Sequence, residues 1–238
     1  MYNEEFSKIY DEYGWDFFSI TMGKSILEYF KINKKNINNH LDLGCGVGTL
    51  CNYFYNSGIN TKGIDISKSM LKIAKNKNKD IEFIESDITN YQSDEKYDLI
   101  TMTCDTINHI LDPDALNSLF ENISNMLNED GYLIFDILNQ DSLSLNTDII
   151  SKRDNGINVY YYITKEENNI INTNVNVKEN NKSIIETNIK EKLYSLAYIK
   201  ELLKRNNLDL IQANKSILNE KQRFEDKLYI ICKKNMEN

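Results

Sequence analysis

Three acidic residues and one glycine-rich loop form the clearest chemical pattern in this chain. In the segment HLDLGCGVGTL, an apolar run containing Asp42 leads into glycines at positions 44, 46 and 48, and a helical pattern begins near Thr49. Glycines at this spacing let a ligand approach the backbone, and the loop N–H groups with the helix N-terminus form a polar cradle. Dinucleotide-binding loops have G-x-G-x-x-G, whereas this loop has G-x-G-x-G, which disfavours a nicotinamide oxidoreductase.

Two further carboxylates follow the next two apolar runs. Asp65 closes TKGIDIS and Asp87 closes FIESDIT. A carboxylate at the end of a second strand is placed to accept hydrogen bonds from both ribose hydroxyls, and one at the end of a third could accept from an adenine amino group. Asp42 suits an ammonium group, although it could instead organise the loop by accepting from its N–H groups. Together the three acids predict a pocket for a cationic, adenosine-bearing ligand, a description that S-adenosylmethionine fits.

The apolar pattern around these residues predicts an α/β core. Short apolar runs at residues 41–43, 61–64, 81–84, 97–102 and 132–137 are typical of buried strands. Helical patterns lie between them, with start signals at Ser67 and at Asp112-Pro113. Strands that alternate with helices of this length indicate a parallel sheet built from right-handed crossover units.

The pattern differs on both sides of that core. Residues 1–38 contain two helical stretches, which we interpret as an N-terminal cap. After the core, assigned to residues 39–150, three alternating runs in residues 151–193 predict an antiparallel sheet with one wet face, acting as a lid or a dimer surface. Residues 194–238 supply a helix that begins at Ser195 and two last strands that complete the core sheet.

Several segments in order resemble one enzyme family. LDLGCGVG, GIDISKSMLKIAK, ESDIT, YDLI and LNEDGYLIFDI resemble the successive motifs of class I S-adenosylmethionine-dependent methyltransferases. The segments FSKIYDEY, CDTINHI and FDILN are similar to the small-molecule branch that includes sugar amine N,N-dimethyltransferases and YqeM-like bacterial proteins. The resemblance implies a Rossmann-like, mostly parallel seven-stranded sheet with flanking helices and a small antiparallel β insertion after the fifth strand.

The resemblance also implies which residues surround the cofactor, S-adenosylmethionine, and its product, S-adenosylhomocysteine. They are Tyr10, Gly44, Cys45 and Gly46 for the methionine part; Asp65 for the ribose; Ile66, Met70, Asp87 and Ile88 for the adenine; and Thr103 and Cys104 beneath the sulfonium. Asp42 is added to this set because its carboxylate suits the ammonium group of the cofactor. Tyr10 would reach the methionine carboxylate from the first helix, although its helix face also suits core packing.

Methyl transfer is an in-line displacement, so the protein must hold a nucleophile about 3 Å from the methyl carbon and exclude water. His109 is a candidate base because an unperturbed imidazole titrates near pH 6.5. Alternatively, His109 packs beside the acceptor pocket or caps the following turn. Asp105, Asn108 and Asn139 could position an acceptor. Tyr13, Trp15 and Phe18 could close over it.

The net charge and the absence of certain motifs restrict the class of molecule that can be the methyl acceptor. The net charge of −8 and the sequence TCDT, in place of an N/D-P-P-Y loop, disfavour nucleic acid. A metal-dependent catechol-type site is not evident, despite Asp136, and no metal is expected. The chain has no signal-peptide pattern or membrane span, and we expect a cytoplasmic protein with four reduced cysteines. The sequence predicts a small-molecule N- or O-methyltransferase, with a homodimer through the insertion as one option. A non-catalytic S-adenosylmethionine sensor or scaffold, and less so an RNA or protein methyltransferase, stay open as alternatives.

Overall fold

Eleven strands form two sheets in the computed structural model, which describes residues 4–12, 17–139, 143, 145–146, 148–152, 157–180, 182–218 and 226–235. The strands are β1 (Asn39–Leu43), β2 (Asn60–Asp65), β3 (Glu82–Glu85), β4 (Tyr97–Met102), β5 (Leu127–Leu138), β6 (Asp148–Lys152), β7 (Ile157–Lys165), β8 (Ile170–Glu179), β9 (Lys182–Lys192), β10 (Leu208–Asn214) and β11 (Lys227–Lys234). The helices are α1 (Glu4–Glu12), α2 (Phe17–Ile32), α3 (Thr49–Asn56), α4 (Lys68–Lys77), α5 (Pro113–Met126) and α6 (Leu196–Arg205). A short 3-10 turn, Thr106–His109, follows β4.

The larger sheet has seven strands in the order β10-β11-β5-β4-β1-β2-β3. Strands β1 to β5 are parallel to one another, β11 is antiparallel to β5, and β10 is antiparallel to β11. The predicted mostly parallel, seven-stranded α/β sheet is therefore confirmed. Because parallel strands end at the same edge, the register brings the ends of β1, β2 and β3 side by side.

The central strands are apolar along their whole length because helices cover both faces of the sheet. Fully buried side chains of these strands include Leu41, Leu43, Ile100, Leu133 and Phe135. The predicted helix starts are confirmed. The side chains of Ser67, Asp112 and Ser195 accept backbone N–H bonds from the first turn of α4, α5 and α6, at 3.4, 3.0 and 3.1 Å.

Helix α2 packs directly on the larger sheet. Its buried residues, including Met22 and Ile26, share one apolar cluster with α3 and with side chains from β4, β5 and β11. A Cβ atom at Gly23 would lie 2.6 Å from the Tyr53 ring, so only glycine lets α2 come this close to α3. Within the described ranges, no helix is both long and apolar enough to cross a membrane.

The smaller sheet is antiparallel, with strand order β6-β7-β8-β9. The sequence predicts its last three strands, whereas β6 was missed because DIISK is short and has no regular alternation. The apolar face of the sheet, including Val159 and Val177, shares a cluster with Phe6 of α1, Val47 of the glycine loop and Met70 of α4. The sheet therefore covers the end of the core where the glycine loop lies. The proposed division at residues 38, 150 and 193 stays a prediction.

Candidate active site

A cavity of about 450 Å³ opens at the carboxyl edge of the parallel strands. Its lining residues are Tyr10, Gly44, Gly46, Asp65, Ile66, Met70, Asp87, Ile88, Thr89, Thr103, Cys104, Thr106, His109, Ile110, Leu111, Asp112 and Ala115. A second cavity of about 30 Å³ shares five of these residues and adds Ser19, Asp42, Cys45, Val47 and Thr49. The larger volume is in the range usual for small-molecule sites, about 300–1,000 Å³.

The glycine loop connects β1 to α3 and forms one wall of both cavities. The N–H groups of Gly44 and Cys45 donate to the Ile64 carbonyl at 2.8 and 2.9 Å, which fixes the loop to the end of β2. Gly46 has φ +53°, and a Cβ atom built there would have no protein atom within 4 Å. The backbone at Gly46 therefore faces open space on the cavity side, where a ligand can approach it closely.

Asp65 connects the glycine loop to the start of α4. One carboxylate oxygen accepts the Gly46 N–H at 2.8 Å, and the other accepts the Ser67 N–H at 2.7 Å. Burial raises the pKa of Asp65, and the backbone N–H bonds partly oppose that rise. Each carboxylate oxygen can accept a second hydrogen bond, so Asp65 can hold the loop and still bind a hydroxyl group.

The mouth of the larger cavity combines a carboxylate with apolar side chains. Asp87 is exposed, and its Oδ1 accepts hydrogen bonds from the backbone N–H and the hydroxyl of Thr89 at 2.9 and 2.8 Å. Ile66 is 64% exposed beside it, and Ile88 and the buried Met70 complete the apolar lining. A flat apolar ring with a polar edge suits this arrangement.

Asp42 lies under the glycine loop and is only 2% exposed. Its carboxylate accepts hydrogen bonds from the Thr101 hydroxyl at 2.6 Å and the Cys51 thiol at 3.7 Å, and His40 Nε2 contacts the same hydroxyl at 2.8 Å. Burial raises the pKa of Asp42 to about 7 and lowers that of His40 to about 3. Among the described residues, the donors to Asp42 are thus side chains, not the loop N–H groups that the sequence suggested as an option.

The floor of both cavities follows β4. Thr103 is 5% exposed, and its carbonyl accepts the Thr106 hydroxyl at 2.7 Å. Cys104 has φ +62°, its sulfur lies 3.6 Å from the Ser19 hydroxyl, and burial raises the pKa of its thiol to about 12. A thiol with this pKa stays protonated, so Cys104 presents a neutral surface. Tyr10 of α1 also lines both cavities.

His109 ends the 3-10 turn and lines the larger cavity. Burial lowers its pKa, and the negative charge of Asp105 opposes that change. The lowered pKa favours the neutral ring, which is the form that can accept a proton. Asn108 holds this turn in place, since its amide donates to the Lys192 carbonyl at 2.7 Å and accepts the Leu138 N–H at 3.1 Å.

The structure thus brings all thirteen predicted site residues to the two adjoining cavities. Their roles toward a ligand stay predictions. Sequence reasoning missed the lining residues Thr89, Thr106, Ile110, Leu111, Asp112 and Ala115. Thr106 and Ile110 lie within CDTINHI, one of the segments that resemble the small-molecule branch of the family. That resemblance was the signal in the sequence that could have identified them. Tyr13 and Trp15 lie outside the described residues.

A family model described as a methyltransferase domain matches residues 19–213. The chain belongs to this methyltransferase family. A protein named as a methyltransferase in Geobacillus sp. (strain WCH70) is 31% identical over 136 residues, covering 56% of this chain and 54% of that relative. YqeM of Bacillus subtilis (strain 168), also named as a methyltransferase, is 29% identical over 101 residues, which are 41% of each chain. The chain thus spans about half the length of these curated relatives.

Solved structures agree with the family assignment. An S-adenosylmethionine-dependent methyltransferase from Clostridium acetobutylicum ATCC 824 has a TM-score of 0.79 and 26% identity, with 90% of each chain covered. The amino pentose methyltransferase CalS10 from Micromonospora echinaspora shares the fold, with a TM-score of 0.78, 12% identity, and 91% and 92% of the two chains covered. The resemblance to class I S-adenosylmethionine-dependent methyltransferases is confirmed.

Beside the cavity floor, the chain buries a group of charged side chains, here called the Lys227 cluster (Asp105, Asp136, Glu191 and Lys227). Lys227 forms ion pairs with Asp105 and, at 3.2 Å, with Asp136. The two oxygens of Asp136 also accept the N–H groups of Cys104 and Asp105, at 2.8 and 3.0 Å. Burial raises the pKa values of Asp136 and Glu191.

Sequence reasoning singled out only two members of the Lys227 cluster, Asp105 and Asp136. Lys227 and Glu191 were missed because they come from β11 and from the insertion strand β9, far away in the sequence. The aromatic ring of Phe18, which the sequence placed near the acceptor, lies 4.9 Å from the Lys227 ammonium. In the part of the chain that the structure describes, no set of three or more histidine, cysteine or acidic side chains is arranged to hold a metal ion.

Proposed function

We propose that the methyltransferase moves a methyl group from S-adenosylmethionine to a nitrogen or oxygen atom of a small-molecule acceptor by in-line displacement. The observation that carries the proposal is the meeting of the glycine loop, Asp65 and Asp87 around one 450 Å³ cavity. These groups come from the ends of three adjacent parallel strands, where open α/β sheets bind their ligands.

The residues present fit the cofactor. Gly46 leaves the loop backbone open to the cavity, Asp65 retains lone pairs for two ribose hydroxyls, and Asp87 lies beside exposed apolar side chains that suit an adenine ring. The methionine part would lie along the glycine loop, over Thr103 and Cys104. When bound, S-adenosylmethionine supplies an electrophilic methyl group on a positively charged sulfur.

The chain itself has to orient the acceptor and exclude water. The smaller sheet and α1 share an apolar cluster with the glycine loop and α4, so they cover the methionine end of the cavity. Holding the nucleophile in line, about 3 Å from the methyl carbon, can lower the barrier by about 7–11 kcal/mol. The neutral thiol of Cys104 gives this region a low polarity, which strengthens the electrostatic interactions that act on the reacting atoms.

Two observations favour a small acceptor. Similar folds include CalS10, an amino pentose methyltransferase, and KedS8, a sugar N-methyltransferase, at 12% and 11% identity. The acidic net charge of −8 disfavours a phosphate-backbone partner. We further propose that the smaller sheet serves as a lid or as a homodimer surface in a cytoplasmic enzyme.

Calorimetric titration with S-adenosylmethionine and, in parallel, with NADH tests the cofactor. We expect micromolar binding of the first, about −8 kcal/mol, and no binding of the second. Transfer of a labelled methyl group to a panel of small amines and alcohols then tests the activity. Binding of the cofactor without transfer to any acceptor would favour the sensor alternative, and binding of NADH alone would contradict the proposal.

A further inference from the structure

Three polar side chains form a buried hydrogen-bonded chain between β1 and β4, next to the smaller cavity. His40 and Asp42 alternate along β1, and Thr101 is the residue of β4 directly opposite Asp42, so all three side chains lie on one face of the sheet. None of them is more than 2% exposed. The Phe54 ring of α3 packs edge-on against the His40 ring, with centroids 4.4 Å apart, and Asp42 lines the smaller cavity.

The hydrogen bonds of this chain run in one direction, towards Asp42. The Thr101 hydroxyl donates to Asp42 Oδ1 at 2.6 Å, and a hydroxyl has only one proton to donate. Thr101 must therefore accept a bond from His40 Nε2, which lies 2.8 Å away. Burial lowers the pKa of His40 to about 3, so its ring is neutral. In the described ranges His40 Nδ1 has no partner that would hold the proton there, which agrees with a proton on Nε2.

This direction favours the ionised form of Asp42. Bonds donated to a carboxylate stabilise its charge, and a hydroxyl that itself accepts a bond is a stronger donor. Burial raises the pKa of Asp42 to about 7, while the bonds from Thr101 and Cys51 oppose that rise. The charged and neutral forms of the carboxyl group are thus closely balanced near neutral pH, where the loss of one donor changes the balance.

Other titratable groups around Asp42 do not balance its charge. Burial raises the pKa values of the Cys45 and Cys51 thiols, which therefore stay neutral. Asp65 repels the negative charge of Asp42, and Tyr10 lines the same cavity. Among the described residues, no lysine or arginine lines this cavity. A cationic group that neutralises Asp42 from the cavity side must therefore come from a ligand.

We propose that Thr101, oriented by His40, is a positioning residue that holds Asp42 as a carboxylate facing the smaller cavity, where Asp42 binds the ammonium group of the cofactor. The proposal rests on the function proposed above and adds a pH dependence to its cofactor binding. Asp42 has acceptor capacity left, because each carboxylate oxygen can accept two bonds and the described side chains donate one to each. As the pH falls, Asp42 takes up a proton and binds the ammonium group less tightly.

The test compares two ligands that differ in the methionine part. S-adenosylhomocysteine carries the ammonium group, whereas 5′-methylthioadenosine keeps the nucleoside and the thioether and lacks the ammonium and carboxylate groups. Calorimetry measures both Kd values from about pH 5 to about pH 7. We expect the affinity for S-adenosylhomocysteine, relative to that for 5′-methylthioadenosine, to rise by up to about tenfold per pH unit.

Variants of Thr101 separate its hydroxyl from its packing. Thr101→Val keeps the shape of the side chain and removes the donor, so it should weaken S-adenosylhomocysteine binding near pH 7 by about fivefold and leave 5′-methylthioadenosine binding unchanged. Thr101→Ser keeps the hydroxyl and should restore the wild-type pH profile. Thr61→Val is the matched control. Thr61 is 5% exposed on β2, its hydroxyl donates to the Ile59 carbonyl at 3.1 Å, and it lines neither cavity.

Unchanged 5′-methylthioadenosine binding shows that a variant is folded, and Thr101→Ala replaces Thr101→Val if the valine variant does not bind it. A wild-type ratio of the two Kd values that is the same at every pH would overturn the positioning role while the proposed function stands. A donor-free variant with the wild-type pH profile would do the same. A wild-type protein that binds neither ligand, nor S-adenosylmethionine, would overturn both.

Discussion

Replacing Gly46 by alanine separates ligand binding from folding. Gly46 has φ +53° and its missing Cβ would point into open space on the wall of the cavity. Gly58 provides the matched control: its φ is +86°, its Cβ would also have no neighbour within 4 Å, and it does not line either cavity. The two substitutions therefore impose the same kind of backbone strain at two places, only one of which faces the proposed ligand.

The magnitudes follow from these contacts. A left-handed alanine costs about 1–2 kcal/mol, and the lower entropy of the unfolded chain returns about 0.4–1 kcal/mol. Both Gly46→Ala and Gly58→Ala should thus lower the free energy of unfolding by roughly 1 kcal/mol. At Gly46 the added methyl group also occupies space that the bound cofactor needs. By analogy with overpacked cores this costs about 1–3 kcal/mol, which raises the Kd about 5-fold to 150-fold.

Urea denaturation of both variants without ligand measures the free energy of unfolding. Calorimetric titration with S-adenosylmethionine measures the Kd. The expected pattern is similar destabilisation in the two variants with weakened binding in Gly46→Ala alone. If Gly46→Ala bound S-adenosylmethionine as tightly as Gly58→Ala does, the cofactor would not approach the loop backbone, and the placement of its methionine part would be wrong.

Three further predictions follow from other contacts. Asp65→Asn should weaken S-adenosylmethionine binding by about 2–3 kcal/mol in calorimetry, since it removes charge-assisted bonds; an unchanged Kd would refute the role of Asp65. Lys227→Met should lower the free energy of unfolding, measured in urea, by about 3 kcal/mol, because buried carboxylates lose their partner. The control is Lys233→Met on the same strand, which should lower it by less than about 1 kcal/mol because the Lys233 ion pair lies at the surface. Burial raises the pKa of Asp42 to about 7, so the carboxyl group stabilises the fold at low pH and loses that contribution as the pH rises towards 7. As the pH rises from 4 to 7, the free energy of unfolding of Asp42→Asn relative to wild type should therefore increase by up to about 1.4 kcal/mol per pH unit. If urea denaturation showed the same pH dependence for both proteins, the raised pKa of the buried Asp42 carboxyl group would be wrong.

Local signals in the sequence predicted the elements that depend on neighbouring residues. The start of α4 is one case, because the Ser67 side chain caps it through a contact only three residues away. The backbone at the ends of elements also reflects local chemistry. Of the eight non-glycine residues with positive φ in the described ranges, five are asparagines. Asparagine tolerates this conformation better than most residues, so it can end an element where glycine would otherwise be needed.

Contacts between distant segments escaped prediction. Lys227 and Asp105 are 122 positions apart in the sequence, and only the pairing of β11 with β5 brings them into one ion pair. Asp42 shows the same limit at shorter range. Its type and position were evident in the sequence, but its hydrogen bond to Thr101 depends on the neighbouring strand, β4. The residue types thus predicted which chemical groups are present, whereas tertiary packing determines the hydrogen-bond and ion-pair partners of those groups.

The position of β11 has a consequence for synthesis of the chain. Strand β5 pairs with β4 on one side and with β11 on the other, and β11 is made about 90 residues later. Until then β5 has one open edge, in a strand whose residues 131–138 are all buried in the folded protein. Open apolar edges of this kind recruit strands from other chains. Asp136 places a charge within that edge, and such charges oppose aggregation. The residue that organises the Lys227 cluster in the folded protein thus also protects the growing chain before its partner Lys227 has been made.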